Sequence, residues 1–123
     1  MATTRIVAVV DDDDRVRESL EDLLESVGHA VQGFASAEAL LKSGTWSTLD
    51  LLITDITMAA IDGLTLHRKL QHDRPHVPVI LVTGCAGFLE RREQIEASGA
   101  PVFFKPFDAV ALLQTIDERL RER

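Results

Sequence analysis

The sequence predicts an α/β fold, a parallel sheet covered on both faces by helices. Short β-branched runs alternate along the chain with longer stretches whose apolar residues fall at helical spacing. Acidic residues, glycines and prolines punctuate these runs. At 123 residues, 46% hydrophobic and 27% charged, the chain is long enough to bury one core and too apolar to be disordered.

The elements follow in order. Ile6 to Val10 is β-branched apart from Ala8 and stops at Asp11, so it reads as a buried strand. Val16, Leu20, Leu23, Leu24 and Val27 then keep helical spacing, with Gly28 where a left-handed cap is expected. Ala30 to Phe34 is a second, weaker strand, and Ser36 caps a short helix through Leu40 and Leu41 that Gly44 ends. Leu49 to Thr54 is the third strand, followed by Asp55. Leu64 to Leu70 carries a helix, with Pro75 and Pro78 at its exit. Val79 to Val82 is the fourth strand, and a glycine-rich turn, Gly84 to Gly87, leads to a polar helix stopping near Gly99. Val102 to Phe104 is the fifth strand, and Asp108 caps a last helix carrying Val110, Leu113, Ile116 and Leu120. Right-handed crossovers leave few windings for five strands and five helices, and the flavodoxin-like order 2-1-3-4-5 is the common one at this length. One domain over residues 1–123 is expected, with no linker or repeat and no room after the last helix for a second domain.

Composition narrows the function. Thirteen Lys plus Arg against twenty Asp plus Glu give a net charge of −7, which disfavours direct binding to a phosphate backbone. One cysteine, Cys85, excludes a disulfide framework and a cysteine-rich zinc module. The apolar run after Arg5 is too short for a signal peptide, and no stretch approaches the roughly 20 apolar residues of a membrane span. A soluble, cytoplasmic protein without membrane contact is expected.

In an open parallel sheet, ligands bind at the carboxyl ends of the strands. Asp11 and Asp12 end the first strand here, Asp55 the third, Thr83 the fourth and Lys105 the fifth. Asp13 and Asp14 are explained by helix capping and first-turn charge. Asp11, Asp12 and Asp55 would repel one another unless a cation sits among them, and an all-oxygen ligand set suits Mg²⁺. Asp55 is either a strand-terminating turn residue or a nucleophile that takes a phosphoryl group. Lys105 supplies a point charge for a carboxylate or phosphoryl oxygen, and its bond to Pro106 is a candidate for cis. The Thr83 hydroxyl has phosphoryl oxygens within its chemistry, and the glycines from Gly84 onward would let the following loop move; alone, Thr83 reads as an ordinary strand residue.

Together VVDDDD at 9–14, TDITMAAIDG at 54–63, VTG at 82–84 and KPF at 105–107 resemble the receiver domain of two-component response regulators, over essentially the whole chain. The resemblance implies that Asp55 accepts a phosphoryl group from a histidine kinase, a phosphotransfer protein or a small acyl phosphate. It also implies that Asp11 and Asp12 help bind Mg²⁺, with Asp12 favoured as direct ligand, and that Thr57 adds its backbone carbonyl. Thr83 would move toward the phosphoryl group, Lys105 would pair with it, and Gly63 matches the glycine of the loop after the acceptor. The face formed by the fourth helix, fifth strand and fifth helix would carry the change to a downstream protein or to a second copy of the chain. Beyond self-catalysed transfer and loss of the phosphate, no enzymatic activity is implied.

Three departures bear on that pattern. Ala59 stands where receivers usually have proline, which predicts a less rigid loop. Val102 stands where a switch aromatic is usual, with Phe103 or Phe104 as candidate replacements. Thr57 and Cys85 occupy the positions that influence phosphate lifetime, and neither readily orients an attacking water; slow to moderate loss is expected. His72 and His76 are separated by Pro75 and make a poor metal pair, while His29 and His67 are expected at the surface. Trp46 is expected in a loop packed on a helix, and Arg91 with Arg92 on a solvated or partner-contacting face. Two rival readings stay open at this level: a pseudo-receiver that binds proteins without phosphorylation, and a phosphohydrolase of the haloacid dehalogenase type, which normally carries a second Asp where Thr57 stands.

Overall fold

The computed structural model describes residues 4–58 and 60–122. Five parallel strands, β1 (Ile6–Val10), β2 (Ala30–Phe34), β3 (Leu51–Asp55), β4 (Val79–Thr83) and β5 (Val102–Phe104), lie in the order β2-β1-β3-β4-β5. The helices are α1 (Asp14–Ser26), α2 (Ala37–Lys42), α3 (Gly63–Asp73), α4 (Cys85–Ser98) and α5 (Ala109–Arg121), with a 3₁₀ turn at Gly44–Ser47. This is the flavodoxin-like doubly wound arrangement expected from the alternation of runs.

Burial on both faces is why the central strands read as continuous apolar runs. β3 and β4 are buried throughout. On one face Leu20 and Leu24 of α1 meet Leu112, Ile116 and Leu120 of α5. On the other, Leu40 of α2, Leu64 and Leu70 of α3 and Ile95 of α4 pack together. The caps are local: Asp13 accepts from Arg15 and Val16 N–H, Ser36 from Ala39 and Asp108 from Ala111. Gly28, at φ 93°, turns the chain after α1 in a conformation that residues with a Cβ rarely adopt.

Several boundaries differ from the sequence expectations. β3 begins at Leu51 rather than Leu49, because the Leu49 N–H is held by the Thr45 carbonyl of the 3₁₀ turn at 2.8 Å. The expected glycine turn after β4 is absent. Gly84 caps α4, which starts at Cys85, so Gly87 lies inside the helix. That helix is interrupted at Arg91, whose φ of −120° and ψ of 17° are not helical. His67 is buried, not at the surface, because three-residue spacing places it on the same side of α3 as Leu64 and Leu70. Its pKa lies below the ordinary value, through burial first and the Arg68 charge second. His29 is half-buried and likewise lowered, by burial with Arg5 adding and Asp117 opposing. Trp46 sits in the 3₁₀ turn, packs against the α2–α4 face, and donates its indole N–H to Asp73 at 3.1 Å.

Candidate functional site

The parallel register brings four strand ends to one edge of the sheet. Val10 pairs with Thr54, Asp55 with Val82, and Thr83 with Phe104, so Asp11, Asp55, Thr83 and Lys105 emerge together. Asp55 is the last residue of β3 and is 6% exposed. Asp11 is buried, whereas Asp12 is exposed. One carboxylate oxygen from each of Asp11, Asp12 and Asp55 lies within 4.8 Å of the others.

Lys105 reaches across from the end of β5. Its ammonium donates to Asp55 Oδ2 at 2.9 Å and lies 3.0 Å from Asp11 Oδ2. The peptide bond between Lys105 and Pro106 is cis. The remaining Asp55 oxygen, Oδ1, accepts the Thr57 N–H at 3.2 Å, and Asp11 Oδ1 accepts the Asp13 N–H at 2.9 Å. Arg17 of α1 fixes the Asp11 carbonyl at 2.8 Å.

The charges do not cancel. Burial pushes the Asp55 carboxyl above its ordinary range; Lys105 pulls it down, and Asp11 pushes it further up. Burial works to lower the Lys105 pKa, but the Asp55 and Asp11 carboxylates outweigh it and hold the ammonium above its usual value. One ammonium thus pairs with two carboxylates, Asp55 and Asp11, and Asp12 adds a third to the cluster. Asp11 Oδ2 is buried without an aligned hydrogen bond, although the ammonium is within ion-pair distance. A buried carboxylate oxygen without an aligned hydrogen bond, in an all-oxygen cluster with excess negative charge, fits a small divalent cation such as Mg²⁺.

The loop after Asp55 is drawn tightly back on it. Gly63 donates to the Ile56 carbonyl at 2.9 Å, and a Cβ at Gly63 would lie 2.1 Å from the Asp55 carbonyl oxygen. Only glycine fits that approach. Ala60 in this loop has a φ of 61°. Ala59, where the proline departure falls, and the Cys85 side chain lie outside the described residues.

The 7–117 segment matches the response regulator receiver domain model. The chain belongs to the response regulator receiver family. The receiver is 39% identical over 110 residues to the transcriptional regulatory protein FixJ of Azorhizobium caulinodans, covering 89% of this chain and 52% of FixJ. It is 31% identical over 116 residues to the response regulator protein TodT of Pseudomonas putida, covering 94% of this chain and 51% of TodT. The chain thus spans about half the length of these relatives. A CheY-like receiver domain protein from Methanospirillum hungatei superposes with a TM-score of 0.86 at 30% identity, covering 98% of this chain and 96% of that one.

Against the family pattern, the receiver's Thr83 is buried and its hydroxyl donates to the Gly84 carbonyl at 3.2 Å, not toward Asp55. Val102 packs into the core on the α2–α4 face, and Phe103 into the opposite face. Phe104, half-exposed, meets Phe88 of α4 edge to face, with ring centroids 5.0 Å apart. Of the two candidates to replace the aromatic, Phe104 is the one in contact with α4. Sequence reasoning missed Gly87 and Arg91. A Cβ at Gly87 would lie 2.7 Å from Thr57 Oγ1 and 2.8 Å from Thr83 Oγ1. Arg91, expected on a solvated or partner-contacting face, donates to Asp62 Oδ2 at 2.8 Å, while Arg92 is exposed and pairs with Glu96. A glycine within helical reach of Thr83 was the available signal; nothing local pairs Arg91 with Asp62.

Proposed function

We propose that this receiver is a phosphoacceptor in which Asp55 takes a phosphoryl group in a Mg²⁺-dependent reaction. The observation that carries the reading is the cluster of Asp11, Asp12 and Asp55 at the strand ends, with the Lys105 ammonium paired to Asp11 and Asp55. Asp11 and Asp12 would hold Mg²⁺ with Asp55 and the Thr57 carbonyl. A bound Mg²⁺ would neutralise charge on the incoming phosphoryl oxygens.

The chain's own groups do the rest. An Asp55 carboxylate oxygen attacks phosphorus, the bond from phosphorus to the donor's histidine nitrogen or acyl oxygen breaks, and the donor leaves with that electron pair. The Thr57 N–H orients the carboxylate, and Lys105, already 2.9 Å from Asp55 Oδ2, pairs with the new negative charge. Thr83 turns from the Gly84 carbonyl to the phosphoryl group, with the Gly84 backbone beside it. The added charge shifts a pre-existing conformational equilibrium.

Output is by protein contact. Leu89 of α4, Phe104 of β5 and Val110 of α5 are exposed apolar side chains on three adjoining elements, as a docking face requires. A sensor histidine kinase or phosphotransfer protein supplies the phosphoryl group in this reading. A downstream protein or a second copy of the chain reads the α4–β5–α5 face, and such a role belongs to the cytoplasm. We treat residues 1–123 as one receiver unit. Intact mass after incubation with Mg²⁺ and acetyl phosphate tests the function. One phosphoryl group is expected on the parent and none on Asp55→Asn or without Mg²⁺; equal labelling of Asp55→Asn would refute it.

A further inference from the structure

We propose that Arg91 is a positioning residue for the phosphoacceptor. Its ion pair with Asp62 seats the first turns of α4 over the Asp55 site, a seat open only because residue 87 is glycine. The inference rests on the receiver reading of Asp55 and concerns how fast that site is loaded and emptied.

Asp55 is only 6% exposed, so access to it depends on how the segments around it are packed. The start of α4 lies against both walls of the site. A Cβ at Gly87 would come within 2.8 Å of the hydroxyls of Thr57, two residues after Asp55, and Thr83, at the end of the next strand. Glycine weakens a helix relative to alanine, and Gly87 is not among the positive-φ glycines. Space above the two threonines is therefore the reason for it.

The first turns of α4 are mechanically distinct. The non-helical backbone at Arg91 separates Cys85–Glu90 from the remainder of α4. At that break Arg91 reaches Asp62 at 2.8 Å and also meets Gln94. Asp62 caps α3 through the Thr65 N–H and closes the loop that begins at Asp55. The pair is largely shielded, with side chains 29% and 23% exposed, whereas the neighbouring Arg92–Glu96 pair is exposed. Phe88 on Phe104 holds the same segment from the strand side. Arg91 thus ties the two segments that flank Asp55 to each other, at the point where α4 bends.

Loosening this latch uncovers Asp55 to phosphodonors and to water alike, so gain and loss of phosphate accelerate together. The test measures loading by acetyl phosphate with Mg²⁺, and decay after donor removal, in the parent, Arg91→Gln, Arg91→Lys, Asp62→Asn and Arg92→Gln. Asn keeps the α3 cap while removing the charge. Arg91→Gln and Asp62→Asn are expected to raise both rates about threefold or more, the scale of a partly shielded ion pair. Arg91→Lys should return toward the parent, and Arg92→Gln should match it. Hydrogen exchange on the unphosphorylated proteins should show faster amides at 86–90 in Arg91→Gln. Unchanged rates, or rates moving in opposite directions, in a parent that is phosphorylated at Asp55 would overturn this inference alone. A parent that accepts no phosphoryl group overturns the receiver reading and this inference with it.

Discussion

At the scale of single residues, the site is built from charges that are only partly compensated. Lys105 sits between Asp55 and Asp11 at 2.9 and 3.0 Å, and both carboxylates are buried. Lys105→Met should leave them facing each other and cost about 1–3 kcal/mol in urea unfolding without Mg²⁺. Mg²⁺ should act in the opposite sense. At a concentration 100 times its dissociation constant it should stabilise the fold by about 2.7 kcal/mol, observed as a rise in Tm. Asp12→Asn should shrink that rise, because Asp12 is a member of the carboxylate cluster and the exposed one. A Tm indifferent to Mg²⁺ in the parent would contradict the cation reading.

At the scale of elements, tight turns and caps decide whether the strand ends deliver their side chains to one place. Gly63→Ala would force a Cβ against the Asp55 carbonyl, and a destabilisation of about 1–3 kcal/mol is expected, together with slower phosphorylation as the loop shifts. Asp13→Ala, which removes only the α1 cap, should cost about 1 kcal/mol and leave the site chemistry in place. The elements that were legible in the sequence are those with local causes. β1 stops at Asp11, Ser36 and Asp108 cap their helices, and β-branched runs mark the buried strands. What escaped has non-local causes. Gly84 and Gly87 look like a turn because the contacts that call for glycine at position 87, Thr57 and Thr83, lie on other segments. Arg91 and Asp62 are 29 positions apart and neither carries a pattern that names the other. His67 was open to correct reading, since spacing alone places it with Leu64 and Leu70.

At the scale of the molecule, the parallel register brings four strand ends to one edge of the sheet, which is why residues scattered along the chain meet there. Among the described residues no helix is long and apolar enough to cross a membrane. Stability should also depend on pH through His67. Its folded pKa is depressed by burial, so the unfolded state binds a proton more readily. Its contribution is complete above about pH 6.5, the unfolded value, and is lost as pH falls toward the folded one. His67→Gln should flatten that part of the urea-stability profile, leaving the smaller share of half-buried His29. The most direct test of the central claim is chemical trapping at the acceptor. After loading with acetyl phosphate and Mg²⁺, borohydride reduces an aspartyl phosphate to homoserine, and peptide mass mapping locates it. Homoserine at position 55, absent without donor or Mg²⁺, is the expected result; homoserine elsewhere, or none in a protein that has gained a phosphoryl group, would contradict Asp55 as the acceptor.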